Sequence, residues 1–310
     1  MRATISGRED GRPRFDLQSH SIHSDGALSP SEVIAQAQAA GVELLALSDH
    51  DTVSGVQEAL IAGRALGVSV VPAVEVTAIH GRYEDLHIVG YGIDHRSPEL
   101  LDALSAYRRD REGRADRMRA ALEQLGFAVD EQLLNAQASS GGSVGRPHLA
   151  RAVFEHPANA ERLRSEGLGN SVELLQAYLL PGRAAYRGRT VPTAPEAIAL
   201  IHAAGGVAIW AHPFWDIKDA DEVLGTLDAF VDYGIDGVES FYVTHDEAQV
   251  ALLARACDER GLLSTGSSDF HGPDHGLFSA FRGHELYGLE PKLGAIPSFA
   301  ATDPAVERAH

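Results

Sequence analysis

Short apolar runs of strand length alternate with segments of helical period through the first hundred residues. Ser29-Pro30-Ser31-Glu32 is a capping box with proline at the first helical position, and Val33, Ile34, Ala37 and Ala40 then recur at helical spacing up to Gly41. The apolar run 42–47 predicts a strand. A helix over about 54–66 ends at Gly67, a strand follows over 68–71 with Glu75 close behind, and another covers 86–91. Repeated strand–helix alternation predicts a parallel sheet.

After residue 97 the rhythm breaks. A long Arg-rich helical segment covers about 98–125, a shorter helix lies near 130–138, and Ser139-Ser140-Gly141-Gly142-Ser143 reads as a loop. Gly145-Arg146-Pro147-His148 opens a further helix and another covers about 171–180, with no strand pattern between them. Residues 98–185 are therefore expected to form an inserted helical subdomain. Alternation resumes with a second capping box, Thr193-x-x-Glu196, a strand over 207–211, helices near 220–233 and 246–260, and a strand over 262–265. Residues 14–97 and 186–285 then make one discontinuous α/β domain, and 1–13 and 286–310 read as peripheral tails.

The chemistry sits where the strands end. Phe15-Asp16-Leu17-Gln18-Ser19-His20-Ser21-Ile22-His23-Ser24-Asp25-Gly26 follows the first strand, and Asp49-His50-Asp51, Glu75, His87, His212 and Asp269-Phe270-His271 lie at later strand ends. In a parallel barrel the loops after the strands converge on one face, so these distant residues can meet. Imidazole and carboxylate donors without thiolate suit zinc, manganese or iron, and a carboxylate such as Glu75 can bridge two cations. Taken singly, the same residues have plainer readings. Asp49 would cap a helix near Thr52, and Glu75 alone would be structural. His80, His95, His156, His202, His284 and His310 read as surface or loop residues.

Composition narrows the function. The 310 residues carry a formal charge of -18, which argues against broad binding to a nucleic-acid backbone or long duplex. The balance is uneven, because residues 98–190 hold 13 Arg against 12 Asp or Glu, which leaves room for a local anion pocket. Cys257 is the only cysteine, so no intrachain disulfide forms, and this fits the cytoplasm. No apolar run approaches a membrane span, and the first fifteen residues lack the apolar segment of a secretory signal.

Asp16-Leu17-x-Ser19-His20 with Ser24-Asp25-Gly26, then Ser48-Asp49-His50-Asp51-Thr52, Val74-Glu75-Val76, His87-Ile88-Val89-Gly90, Ala211-His212-Pro213 and Gly266-Ser267-x-Asp269-x-His271 together resemble the polymerase-and-histidinol-phosphatase (PHP) superfamily. The likeness runs in order from about 14 to 275. It is closest to the branch of nucleotide phosphoesterases that carries a helical insertion, which includes 3',5'-nucleotide bisphosphate phosphatases and exonucleases trimming 5'-phosphorylated RNA. The resemblance implies a distorted seven-stranded (β/α) barrel with two or three divalent ions, manganese first and iron or zinc as alternatives. It implies His20, Asp25, His50, Glu75, His87, His212, Asp269 and His271 as ligands. It also places Arg146, His148 and His245 toward the substrate, with Arg183 as a further phosphate contact. Arg offers a planar fork suited to phosphate oxygens.

One position departs from the pattern. Gln18 stands where the family has the first histidine of a His-x-His pair, and a neutral amide oxygen is a poorer ligand for a borderline metal. Either Gln18 coordinates weakly or His23, five residues on, supplies the missing nitrogen, and the latter is the expectation here. The implied function is hydrolysis of a phosphate ester on a small nucleotide such as adenosine 3',5'-bisphosphate by cation-activated water. Arg146 would stabilise phosphoryl charge, and His212 or His245 would assist the leaving group. The alternatives are a 5'-to-3' exonuclease on short RNA and a non-catalytic nucleotide-binding module with a degraded metal site.

Overall fold

Seven strands pair side by side in chain order and carry the candidate donors on one rim. The computed structural model describes residues 12–139, 144–188 and 190–300. The chain runs β1 (Phe15–Asp16), α1 (Pro30–Ala39), β2 (Leu44–Leu47), α2 (Val56–Leu66), β3 (Ser69–His80), β4 (Tyr83–Tyr91) and α3 (Pro98–Gln124). Helices α4 (Glu131–Ser139), α5 (Arg146–Phe154), α6 (Ala160–Ser165) and α7 (Ser171–Tyr178) come next. The remainder is α8 (Ala194–Ala203), β5 (Val207–Trp210), α9 (Pro213–Asp216), α10 (Ala220–Asp232), β6 (Gly237–Tyr242), α11 (Glu247–Arg260), β7 (Leu263–Ser267) and α12 (Ile296–Phe299). Two units result, Met1–Ser105 with Pro192–His310, and Ala106–Val191. The Ser/Gly run expected as a loop falls, at 140–143, outside the described residues, as do 1–11 and 301–310 of the expected tails, His310 among them.

The first unit is a nearly closed α/β barrel. Both expected capping boxes form: Glu32 accepts from Ser29 N–H at 2.8 Å and Glu196 from Thr193 N–H at 2.8 Å. Leu17 N–H donates to the Gly266 carbonyl at 3.2 Å and His20 N–H to the Phe270 carbonyl at 2.8 Å, which brings the two sheet edges together. The sheet is mixed and not all-parallel. β3 pairs antiparallel with β4, and β4 antiparallel with β5, while the other neighbours are parallel. The physical reason is chain length. β3 runs on through Glu75 to His80, and only Gly81 and Arg82 separate it from β4, a hairpin connection too short for a parallel crossover.

Side chains alternate across each strand, so every second residue points into the barrel. Phe15, Leu17, Leu44, Ala46, Val71, Ala73, Val89, Tyr91, Ile209 and Ala211 form this inner core, and Tyr91 donates its hydroxyl to the Leu17 carbonyl at 2.7 Å. Ile296 of α12, in the stretch read as a peripheral tail, is buried within the same core. The second unit has a core of its own, including Met118, Leu122, Phe127, Leu149, Val153, Leu163 and Leu174. Among the described residues no helix is long and apolar enough to cross a membrane.

His284 corrects the surface reading. It is 1% exposed and rests against Phe15 at 5.2 Å between ring centroids, and among the described residues neither ring nitrogen has a hydrogen-bond partner. Burial, reinforced by Arg282, pushes its pKa from 6.5 down to about 3. As pH falls, the unfolded chain takes up this proton first. The stability that the neutral ring permits is therefore complete above pH 6.5 and is lost toward pH 3, with a slope for one group of up to about 1.4 kcal/mol per pH unit. His284→Phe is expected to flatten the fall in unfolding free energy across this window in urea titrations. A profile identical to wild type would show that His284 does not set it.

Candidate metal centre

The alternation that builds the barrel core also aims the donors. On β3, Val71 and Ala73 face inward, and Glu75 is the next residue on that face. On antiparallel β4 the order reverses, so His87 precedes the inward Val89 and Tyr91. Opposed strand directions thus deliver Glu75 and His87 to the same rim. The registers Glu75↔Val89 and Thr77↔His87 make them diagonal neighbours, and His87 Nδ1 lies 2.8 Å from Glu75 Oε1.

Glu75 is the hub. His20 Nε2 and His50 Nδ1 approach its Oε2 at 3.1 and 3.3 Å, while His212 Nε2 approaches Oε1 at 3.1 Å. His20 Nε2 is also 3.0 Å from Asp269 Oδ1. Asp25 completes the opposite side, 3.5 Å from His20 Nδ1, 3.5 Å from His50 Nε2 and 3.4 Å from His271 Nε2. Among the described residues three donor groups emerge: His20, Asp25, His50 and His271; His50, Glu75 and His87; His20, Glu75 and Asp269. The atoms of each lie within 4.8 Å of one another, and the groups share members.

These residues fit divalent cations. Among the described residues His20 Nε2, His50 Nδ1 and Glu75 Oε2 are close together and buried with no hydrogen-bond partner. Cations held by the two groups that share Glu75 would satisfy them, His50 in one group and His20 in the other. The electrostatics agree. Although burial opposes its ionisation, Glu75 is held well below the usual carboxylate range by His50 and His87. Burial likewise opposes the charged form of His20, yet Asp269 and Glu75 draw its pKa well above 6.5. His50 is pushed down to about 4 by burial, against the pull of Glu75 and Asp25.

A second layer holds the donors in place. Asp49 accepts from Ser21 N–H, Ser21 Oγ and Ser24 Oγ, each at 2.7 Å, which pins the loop carrying His20 and Asp25. Gly26 lies directly against the His20 carbonyl, where a Cβ has no room. Tyr242 donates its hydroxyl to Asp269 Oδ2 at 2.7 Å, and Glu239 accepts from His212 N–H at 3.0 Å. Sequence reasoning missed Tyr242 and Glu239 as site residues. The signal that could have found them is their place on the sixth strand, which carries none of the expected donors. Asp51, His212 and Asp269 have positive φ of 51°, 30° and 53°, conformations uncommon for non-glycine residues.

Over residues 16–164 the chain matches the family model described as PHP domain. It is 35% identical to a 5'-3' exoribonuclease of Haemophilus influenzae, across 84% of this chain and 90% of that protein. The chain belongs to the PHP domain family. A 3',5'-nucleoside bisphosphate phosphatase of Chromobacterium violaceum is 33% identical over 84% of this chain and 88% of that one. A solved structure of a Chromobacterium violaceum amidohydrolase with bound sulfate superposes with a TM-score of 0.67 and 32% identity, over 86% of this chain and 90% of that one.

Within this PHP domain the departure at Gln18 is structured. Gln18 is fully buried, its Nε2 donates to Asp269 Oδ1 at 3.3 Å, and its buried Oε1 has no hydrogen-bond partner among the described residues. His23 is not brought to the donors. It is exposed, its ring edge lies beside Gly55, and it belongs to none of the three groups. The reason is local: Ser21 Oγ accepts from His23 N–H at 3.2 Å, within a tight turn that faces Asp25 inward and leaves His23 outside. His245 lies outside the groups as well, buried against Phe214 and Tyr242, with Nδ1 donating to the Ser240 carbonyl at 3.1 Å. In the helical unit Arg146 begins α5, His148 Nδ1 accepts from Gly145 N–H at 3.0 Å, and Arg183 is exposed.

Gln18→His is expected to tighten zinc binding on the order of tenfold by restoring an imidazole donor, measured by competition with a chromophoric chelator. His23→Ala should leave metal content unchanged. The reverse pattern would return the missing ligand to His23.

Proposed function

We propose that the protein is a metal-dependent hydrolase of phosphate esters, acting in the cytoplasm on a small nucleotide with two phosphates such as adenosine 3',5'-bisphosphate. The observation that carries this reading is the set of overlapping donor groups sharing His20, His50 and Glu75, an arrangement suited to more than one cation. The bisphosphate phosphatase relative supports phosphate as the reacting group. His20, Asp25, His50, Glu75, His87, His212, Asp269 and His271 would hold two or three divalent ions, manganese first, with iron or zinc as alternatives. When bound, such ions supply Lewis acidity and make water a nucleophile near neutral pH.

The remaining roles fall to the chain itself. Tyr242 keeps Asp269 oriented, and burial together with the Asp269 charge holds its phenol far above the ordinary value, so it remains a donor. His245 is pushed down to about 4 by burial, and its Nδ1 proton is committed to Ser240. Its buried Nε2 is therefore unprotonated at neutral pH and offers a hydrogen-bond acceptor there. His212 is fixed by Glu239 through its backbone and by Glu75 through its ring. Within the helical unit, Arg146 and His148 at the start of α5, with Arg183, are the proposed anion-binding groups.

The exoribonuclease relative favours a second reading, hydrolysis of short 5'-phosphorylated RNA. It requires activity across several oligonucleotide lengths and affinity that falls steeply with salt. The deciding assay is phosphate release from adenosine 3',5'-bisphosphate with added manganese. Release is expected, with His50→Ala lowering it at least about a hundredfold. Mononucleotide release from 5'-phosphorylated oligoribonucleotides, with the bisphosphate left intact, would transfer the assignment to the exonuclease.

A further inference from the structure

Beside the donor groups stands a set of aromatic side chains that the chemistry above does not use. The Phe278 ring lies 5.3 Å from His271, 5.0 Å from His275 in a stacked arrangement, and 5.6 Å from Trp215. Phe278 is buried beneath, whereas His275 is exposed and Trp215 is 42% exposed. The wall is therefore continuous from a donor of the centre to an indole in solvent.

Both ends are fixed to the centre by backbone. Trp215 N–H donates to the His212 carbonyl at 2.8 Å, and His271 N–H donates to the Phe278 carbonyl at 2.9 Å. Phe278 N–H in turn donates to His275 Nδ1 at 3.0 Å. Lys218 Nζ ties off α9 by donating to the carbonyls of Phe214 and Trp215 at 2.7 and 2.6 Å. A lone exposed tryptophan needs no explanation. This one is held in register with two donor-bearing strand ends and is backed by a ring, which is the construction of a stacking platform.

We propose that this wall is a nucleobase-binding subsite. The Trp215 indole, supported by Phe278 and His275, stacks on the base of a nucleotide whose phosphate lies at the donor groups. The inference rests on the phosphoesterase reading for the position of the phosphate, and on the ring geometry for the base. Every base has a π-face, and stacking reads flatness more than hydrogen-bond pattern. The subsite is therefore expected to discriminate weakly among the four bases and strongly against ribose phosphates that lack one.

The test compares adenosine 3',5'-bisphosphate with ribose 5-phosphate in the wild type, Trp215→Ala and Trp215→Phe. Trp215→Ala is expected to raise KM for the nucleotide about 5- to 100-fold, with kcat within about twofold and ribose 5-phosphate hydrolysis unchanged. Trp215→Phe should keep most of the nucleotide affinity. Binding is read independently by intrinsic fluorescence, because the other of the two tryptophans, Trp210, is fully buried. The nucleotide should quench the wild type and leave Trp215→Phe unquenched. If both substrates are hydrolysed and neither variant changes KM, the subsite is overturned while the phosphoesterase reading stands. Quenching that depends on Trp215 without any hydrolysis would keep the subsite and overturn the reaction. Neither hydrolysis nor quenching would overturn both.

Discussion

Glu75 is an ionised carboxylate with no exposure to water, and leaving such a group unpaired in a protein interior costs several kcal/mol. Four imidazoles, from His20, His50, His87 and His212, stand 2.8 to 3.3 Å from its two oxygens and offset that cost. They come from four different segments of chain. The curl of five neighbouring strands, β1 to β5, brings these segments around one carboxylate. The same arrangement leaves lone pairs that an ion can take, so what stabilises Glu75 also defines the candidate centre.

Around this hub the backbone is held in conformations it would not choose. The positive φ values of Asp51, His212 and Asp269 all occur just beyond strand ends. Each is constrained by its neighbours: Asp51 Oδ1 accepts from Thr77 N–H, His212 N–H donates to Glu239, and Asp269 receives the Tyr242 hydroxyl. Strain of this kind persists where surrounding contacts over-determine it, and it fixes donor direction to a degree a relaxed loop would not. Gln18 fits the same logic. Its amide nitrogen supports Asp269, while its buried oxygen has no partner among the described residues.

Part of this architecture is legible in the residues alone. The capping boxes at Ser29 and Thr193 mark two helix starts, and helices α10 and α11 lie where their periodicity puts them. Local hydrogen-bond chemistry decides such features, so they are written in consecutive residues. The sheet is legible only in outline. A strand over 68–71 and another over 86–91 suggest a parallel step, whereas β3 extends through Glu75 into a two-residue hairpin. The residues between include the β-branched Val74, Val76, Thr77 and Ile79, which suit a strand, but only pairing with β4 fixes their direction and register. His284 and His23 depart from expectation in opposite senses. One is buried with no ring hydrogen bond among the described residues and the other is exposed outside the centre, and neither outcome has a local signature.

The sequence by itself determined which chemistry was available: imidazoles and carboxylates at the ends of apolar runs, a glutamine in place of one histidine, and no thiolate beyond Cys257. It also showed that the strand–helix alternation breaks after residue 97, because periodicity is a property of neighbouring residues. Tertiary structure decided which donors meet. It also decided that Tyr242 and Glu239 brace them, that His23 is excluded, and that Trp215 joins a ring wall ending on His271. The physical reason is that side-chain direction depends on strand register and barrel closure. A one-residue change in register would turn Glu75 and His87 out of the barrel without altering a single letter of the motifs around them.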